Sequence, residues 1–408
     1  MTAAEGFSFP PEVVRPHAGP PFAPAEYDRR LTLVRAAMDR AGLGALVVCD
    51  PSNMAWLTGY DGWSFYVPQA VVLPPDGLPV WWGRAQDAAG ALRTVDPDRC
   101  AIAPYADNFV QSAERHAMEN LGDLLHDLGL DGAAVGVEMD NYYYSARAHA
   151  VLAGRLDRTP LQDATGLVNR CRTVKSAPEL AFMRHAAAIS DKMIRLALDL
   201  AEPGLRKHDL AAALSAAGIA GTSEAWGDYP AIVPLLPSGP DAAAPHLTWD
   251  GRAMRRDEAT FFELSGCHRR YHAPLCRTVF LGTPPDHILH AEEALVEGFE
   301  AGLNAARPGA RACDVAEALG ARLERAGIQR GARCGYPVGL SYPPDWGERT
   351  ISFRAEDDTL LEAGMTFHFM PGLWMDDWGM EITETILIRE DGPAEPFGTV
   401  PRRLFVKP

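Results

Sequence analysis

The sequence has no apolar run approaching the ~18 to 20 residues that a helix needs to cross a bilayer. It also lacks positive charge. Its 38 Lys plus Arg stand against 54 Asp plus Glu, a net charge of −16 that leaves no basic field for a phosphate backbone and argues against nucleic-acid binding. The N-terminus lacks the basic, then apolar, then small-residue order of a secretory signal, and the expectation is a cytoplasmic protein. Cys49, Cys100, Cys171, Cys267, Cys276, Cys313 and Cys334 are scattered and form no CxxC pair, so neither a disulfide framework nor a thiolate zinc site is indicated. They read as buried reduced thiols. No internal repeat is evident.

What remains is a globular composition, 47% hydrophobic and 23% charged over 408 residues, long enough for two or three domains. Residues 1–24 carry six prolines and read as an extended arm. From Glu26 to Gly42, apolar residues at helical spacing lead through Gly42 and Gly44 into the buried strand Ala45 to Cys49. A strand at Ala70 to Leu73, a helix at Leu121 to Leu128 and a strand at Ala133 to Val137 make residues 25–168 an α/β domain. A second domain, 169–408, opens with a capping box: Ser176 and Glu179, with Pro178 in the first turn, precede a long amphipathic helix to about Leu200. It continues through a loop from Tyr229 to His246, strands Thr260 to Leu264 and Arg277 to Leu281, helices Ala291 to Ala306 and Asp314 to Ala326, and strands Thr366 to Met370 and Glu381 to Ile388. Strands flank the helices rather than alternating with them, which favours α+β over a doubly wound sheet.

Six segments carry a resemblance. RTVKSAPELAFMR (172–184), SGPDAAAPH (238–246), FFELSG with CRTVFLG (261–266 and 276–282), GYPVGL (335–340), GMTFHFMPG (364–372) and GMEITETILI (379–388) follow one another as in the pita-bread superfamily of creatinase, prolidase and methionine aminopeptidase. PSNMAWLTGYDGWSFY (51–66) resembles the N-terminal domain of its creatinase and prolidase branch. Together with MDNYYYSA (139–146), the run from Gly227 to Asp250 and RCGYPVGLSYPPDWGERT (333–350), it is similar to the ectoine hydrolase family. That resemblance implies opening of a cyclic amidine, ectoine, to an N-acetylated 2,4-diaminobutyrate. It does not say which ring C–N bond breaks or whether 5-hydroxyectoine is preferred.

The metallopeptidase branch holds two divalent ions with two Asp, a His and two Glu. Laid on that pattern, this chain has Glu263 for the first carboxylate, then Pro274, Tyr336, Met370 and Thr383, and a slip of one or two residues adds only Glu381 or Glu384. Hard dications need several oxygen ligands, so the resemblance implies no metal and no other cofactor, as in creatinase. An amidinium is already electrophilic at its central carbon, and a neighbouring dication would repel it by several kcal/mol at an effective dielectric of about 20.

Glu263 shares a strand face with Phe261, so a charge stands in an otherwise buried element, as a site residue or as half of a structural ion pair. His246 matches the proton-transferring histidine of creatinase, and imidazole is suited to exchange protons with water and a leaving amine near neutral pH. His246 and Glu263 are the expected catalytic pair; which is the base, and whether Glu263 attacks directly, stays open. Tyr336 either donates its phenol to the substrate or fills the space of a lost ligand. Glu381 shares its strand face with Thr383 and points into the same cleft or to solvent. Trp63, Phe65 and Tyr66, beyond Gly59 and Gly62, are candidates for an aromatic cap on the cation, lent to a neighbouring subunit in creatinase-like homodimers. Arg277, Arg333 and Arg349 are candidates for the substrate carboxylate. A two-metal X-Pro peptidase and a non-catalytic module on the same fold are the competing readings.

Overall fold

The computed structural model describes residues 19–408, and chain contacts divide it into two units after Cys171. Most of the proline-rich arm lies outside the described residues. The boundary expected at residue 168 falls within the helix Leu167–Cys171, which belongs whole to the first unit.

Six strands build the first unit: β1 (Ala45–Val48), β2 (Ala70–Leu73), β3 (Val80–Arg84), β4 (Ala101–Tyr105), β5 (Val135–Val137) and β6 (Leu161–Asp163). Their order is β4-β3-β2-β1-β5-β6, antiparallel at β1–β2 and β2–β3 and parallel elsewhere. The central strands β1 and β2 are buried along their whole length, the run of apolar side chains expected of strands covered on both faces. Helix Pro51–Thr58 is capped by the Asp50 carboxylate, which accepts from Ser52 N at 2.7 Å, and it stops at Gly59, whose φ of 80° is open to glycine. Glu138, at the end of β5, accepts from Cys49 N and Asp50 N, both at 2.8 Å, and from Asn53 Nδ2 at 2.5 Å. Burial pushes its pKa up to about 8. This carboxyl pins the helix to the sheet.

The second unit opens with helix Ala177–Leu200, where Ser176 N donates to Glu179 Oε2 at 2.8 Å as the capping box requires. Two long strands follow, β7 (Glu258–His268) and β8 (Tyr271–Leu281), joined as an antiparallel hairpin. Both extend beyond the expected strands. Their pairing runs unbroken from Glu258 with Leu281 to His268 with Tyr271, and at Gly266 a Cβ would come within 2.3 Å of Ala186 O, so only glycine lets the helix close down on this end of β7.

The remaining strands are β9 (Gly335–Pro337), β10 (Thr366–Phe369), β11 (Gly372–Trp374), β12 (Gly379–Glu381), β13 (Glu384–Leu387), β14 (Glu395–Pro396) and β15 (Phe405–Lys407). They pair as β14-β13-β10-β9, β11-β12 and β15-β8-β7. The single strand expected from Glu381 to Ile388 is two. The chain changes partner at Ile382 and Thr383, leaving β11 for β10, while Thr383 N donates to Cys276 O at 3.2 Å. Helices Asp286–Ala305 and Ala312–Arg325 cover one side through Leu295, Phe299, Leu319, Phe367 and Phe369.

Arg277 faces away from Glu263, because its pair across the hairpin is Phe262 while Glu263 pairs with Cys276. It is fully buried and ion-paired with Glu384. Its other donors reach Pro401 O at 2.9 Å, Cys276 O and Thr383 O at 2.7 Å and Val400 O at 2.6 Å. All five guanidinium hydrogens are engaged. Arg277 therefore has none left for a substrate carboxylate, and Glu384 is likewise committed. Removing one member strands the other in the core, so Arg277→Met should cost about 3 to 5 kcal/mol in urea unfolding, and adding Glu384→Leu should recover most of it.

Candidate active site

Side chains alternate along a strand, and directly paired residues share a face. Glu263 pairs with Cys276, Cys276 bridges to Thr383, and His368 pairs with Tyr336. Counting by two from Thr383 adds Glu381. The structure thus lines Glu263, Cys276, Glu381, Thr383, His368 and Tyr336 along one buried face contributed by β7, β8, β9, β10, β12 and the link to β13, while Arg277 and Glu384 occupy the other.

Two carboxyls meet here. Burial, and then the charge of Glu381, push Glu263 well above the usual carboxylate range. Burial raises Glu381 too, while hydrogen bonds from Trp374 and Cys276 and the charge of Arg330 pull it partly back. Glu381 Oε1 accepts from Trp374 Nε1 at 2.7 Å; its Oε2 is buried without a partner. The Cys276 thiol between the two acids is kept protonated by burial and by both carboxyls. Like charges in a dry site resist ionising together, so the pair retains a proton.

On the far side, Trp346 Nε1 donates to Tyr336 Oη at 2.8 Å, Tyr336 Oη lies 3.0 Å from His368 Nδ1, and His368 Nε2 lies 2.7 Å from Thr383 Oγ1. Burial, then Glu263, raise the Tyr336 phenol, whereas burial and Arg333 lower His368 to about 3. Arg333 is exposed and stands over the Tyr336 ring, 4.6 Å from its centre.

The loop before the hairpin is anchored against this face. A Cβ at Gly379 would lie 1.9 Å from Ala242 O, so glycine there lets the turn Gly239–Ala243 seat on β12, and Ala242 packs with Phe261, Cys276 and Trp374. Asp250 bridges Lys207, at 2.9 Å, and Arg252 further along. His246 lies between these anchors, exposed, and makes no hydrogen bond to Glu263. In the first unit, Trp63 and Tyr66 are 56% and 66% exposed, and half-buried Phe65 contacts Trp63 and Tyr143. Trp56 and Tyr60 are core.

His368, Cys276, Trp346 and Trp374 were missed by sequence reading. The signal was present for two of them: His368 stands two residues before Met370, and Cys276 two after Pro274, so each shares a face with a lost ligand position.

The set does not fit two hard dications. Pro274 offers only a carbonyl, which accepts from Thr385 Oγ1 at 3.0 Å, Met370 offers a thioether, Tyr336 holds its proton, and Thr383 is bonded to His368. Among the described residues no group of three or more His, Cys, Asp and Glu is arranged to hold a metal ion.

Residues 181–390 match the model of metallopeptidase family M24, and residues 30–174 that of the creatinase/prolidase N-terminal domain. The ectoine hydrolase of Halomonas elongata is 54% identical over 95% of this chain and 98% of its own length. The crystal structure of dipeptidase PepE from Mycobacterium ulcerans superposes with a TM-score of 0.78 at 25% identity, covering 94% of this chain and 99% of that one. A prolidase from Thermococcus sibiricus gives 0.79 at 18% identity, covering 93% and 99%, a likeness of fold alone.

The raised carboxyls have a consequence for pH. In the unfolded chain both ionise near about 4.3, but in the folded protein later, so the native state binds more protons above that pH and stability falls as pH rises. Between pH 5 and 8 the unfolding free energy of the protein should drop by on the order of 1 to 3 kcal/mol more than that of Glu381→Gln. Equal slopes would exclude a proton-sharing pair.

Proposed function

This chain belongs to metallopeptidase family M24, and we propose that within it the chain is a hydrolase of ectoine, opening the cyclic amidine ring without a metal ion. The observation that carries the reading is the buried carboxyl pair Glu263 and Glu381, one oxygen of it unpartnered, with Glu263 at the first of the ligand positions the resemblance implies and Pro274, Tyr336, Met370 and Thr383 at the other four. Such a pair attracts a delocalised cation and leaves little to hold a dication. The identity to a protein named ectoine hydrolase supports the substrate.

In the proposed reaction a water oxygen bonds to the ring carbon between the nitrogens and its proton goes to a base. The tetrahedral carbon then collapses: one C–N bond breaks, the departing nitrogen takes a proton, and the other nitrogen keeps the acetyl group. Glu263, with Glu381 beside it, holds the amidinium; His246 and Glu263 exchange the protons, and attack by Glu263 itself is the alternative for the first step. His246 lies exposed on a loop anchored beside the site, a position suited to closing with substrate or with a neighbouring subunit. The reading includes a homodimer in which Trp63, Phe65 and Tyr66 of one copy close the site of the other, and Arg333 as the carboxylate's partner.

Purified protein given ectoine should release N-acetyl-2,4-diaminobutyrate by NMR, at a rate unchanged by exhaustive chelation; a chelated enzyme restored by manganese or cobalt would overturn the metal-free mechanism. His246→Ala should lower kcat by roughly 10²-fold with substrate still bound. Glu263→Gln should weaken both affinity and turnover. Near-wild-type kcat in either folded variant removes that residue from the mechanism, and a fully active monomer in sedimentation at assay concentration removes the shared cap.

A further inference from the structure

Tyr336, His368 and Thr383 present a hydrogen-bonding problem with few solutions. The three groups are joined by two links, phenol to Nδ1 and Nε2 to hydroxyl. Trp346 already donates to the phenol oxygen, so Tyr336 has one acceptor site filled. All three side chains are buried, and a neutral imidazole carries one hydrogen. The trio then holds three hydrogens, one each from phenol, imidazole and hydroxyl, and its two links consume two of them.

We infer that His368 is a positioning residue which, by its tautomer, assigns the third hydrogen either to Tyr336 or to Thr383 for donation into the reaction face. If Nδ1 carries the hydrogen, it donates to the phenol oxygen, Thr383 donates to Nε2, and the phenol hydrogen is free. If Nε2 carries it, Tyr336 donates to Nδ1, Nε2 donates to Thr383, and the Thr383 hydroxyl is free. The two states interconvert by a balanced shift. A proton leaves Thr383 for the departing nitrogen, Thr383 takes the Nε2 proton, Nδ1 takes the phenol proton, and Tyr336 is reprotonated from the Glu263 carboxyl, so no member is left charged. The low basicity of His368 fits this, because an imidazolium would donate at both ends and abolish the choice. Glu263 lies on the same buried face as Tyr336 and is close enough to act on it electrostatically.

The role in turnover rests on the ectoine reading; the tautomer does not, and the two are tested apart. Nitrogen-15 NMR of the free wild-type protein should show His368 neutral, with one protonated and one bare ring nitrogen, from pH 5 to 9. Thr383→Val, which takes from Nε2 both its donor and its acceptor, should drive it toward the tautomer protonated at Nδ1, because a buried N–H without an acceptor costs more than a bare ring nitrogen while Nδ1 keeps the phenol oxygen. A His368 that is charged at pH 6 overturns the relay even if ectoine is hydrolysed. For turnover, His368→Phe should lower kcat on the order of 10²-fold with KM changed less than about threefold, and adding Tyr336→Phe should cost little more, since a relay fails as a unit. Multiplying losses, or lowered stability with kcat of the folded fraction intact, would make His368 a structural residue only. A wild-type protein inert toward ectoine overturns the substrate reading and leaves the NMR result standing.

Discussion

Two carboxyls buried side by side dominate the second unit. Desolvating a single carboxylate carries an effective penalty of several kcal/mol even after relaxation, and a second one nearby raises the cost further. The fold offsets only part of it, with the Trp374 indole and the Cys276 thiol on Glu381. Protonation, which both raised carboxyls favour, meets the rest. The neutral His368 and the protonated Tyr336 on the far side are consistent with this, since neither adds a fixed charge that would cancel the field.

That arrangement depends on the strictness of strand alternation. Shifting β8 by one residue against β7 would place Arg277 beside Glu263 and remove Cys276 from the face. The register is held from behind, where Arg277 ties Glu384 and the backbone at Cys276, Thr383, Val400 and Pro401. The ion pair on one face thus fixes which residues stand on the other.

Much of this was legible in the sequence. The capping box at Ser176 and Glu179 marked the opening helix of the second unit, and the period-two count put Glu263 with Phe261, and Glu381 with Thr383, on shared faces. The strand break after Glu381 was not legible, because it arises where one segment exchanges pairing partners, and residues 382 and 383, Ile and Thr, remain β-branched through the change. Arg277 was misread because a guanidinium in a strand looks the same whether it meets substrate or backbone carbonyls. His368 was invisible for a similar reason: its partners, Tyr336 and Thr383, lie 32 and 15 residues away and are brought to it only by the sheet.

The final strand carries a further consequence. β15 pairs in parallel with the end of β8, and Val400 and Pro401 accept from Arg277. During synthesis, β7 and β8 leave the ribosome well over a hundred residues before these partners exist. Until residues 400–407 emerge, the nascent hairpin has an open edge and an arginine lacking at first four and then two of its five acceptors, a species prone to wrong pairing. The sheet that bears Glu263 and Cys276 is therefore completed only once residues 400–407 have been made, which makes the delay between the hairpin and β15 the vulnerable interval of its biogenesis.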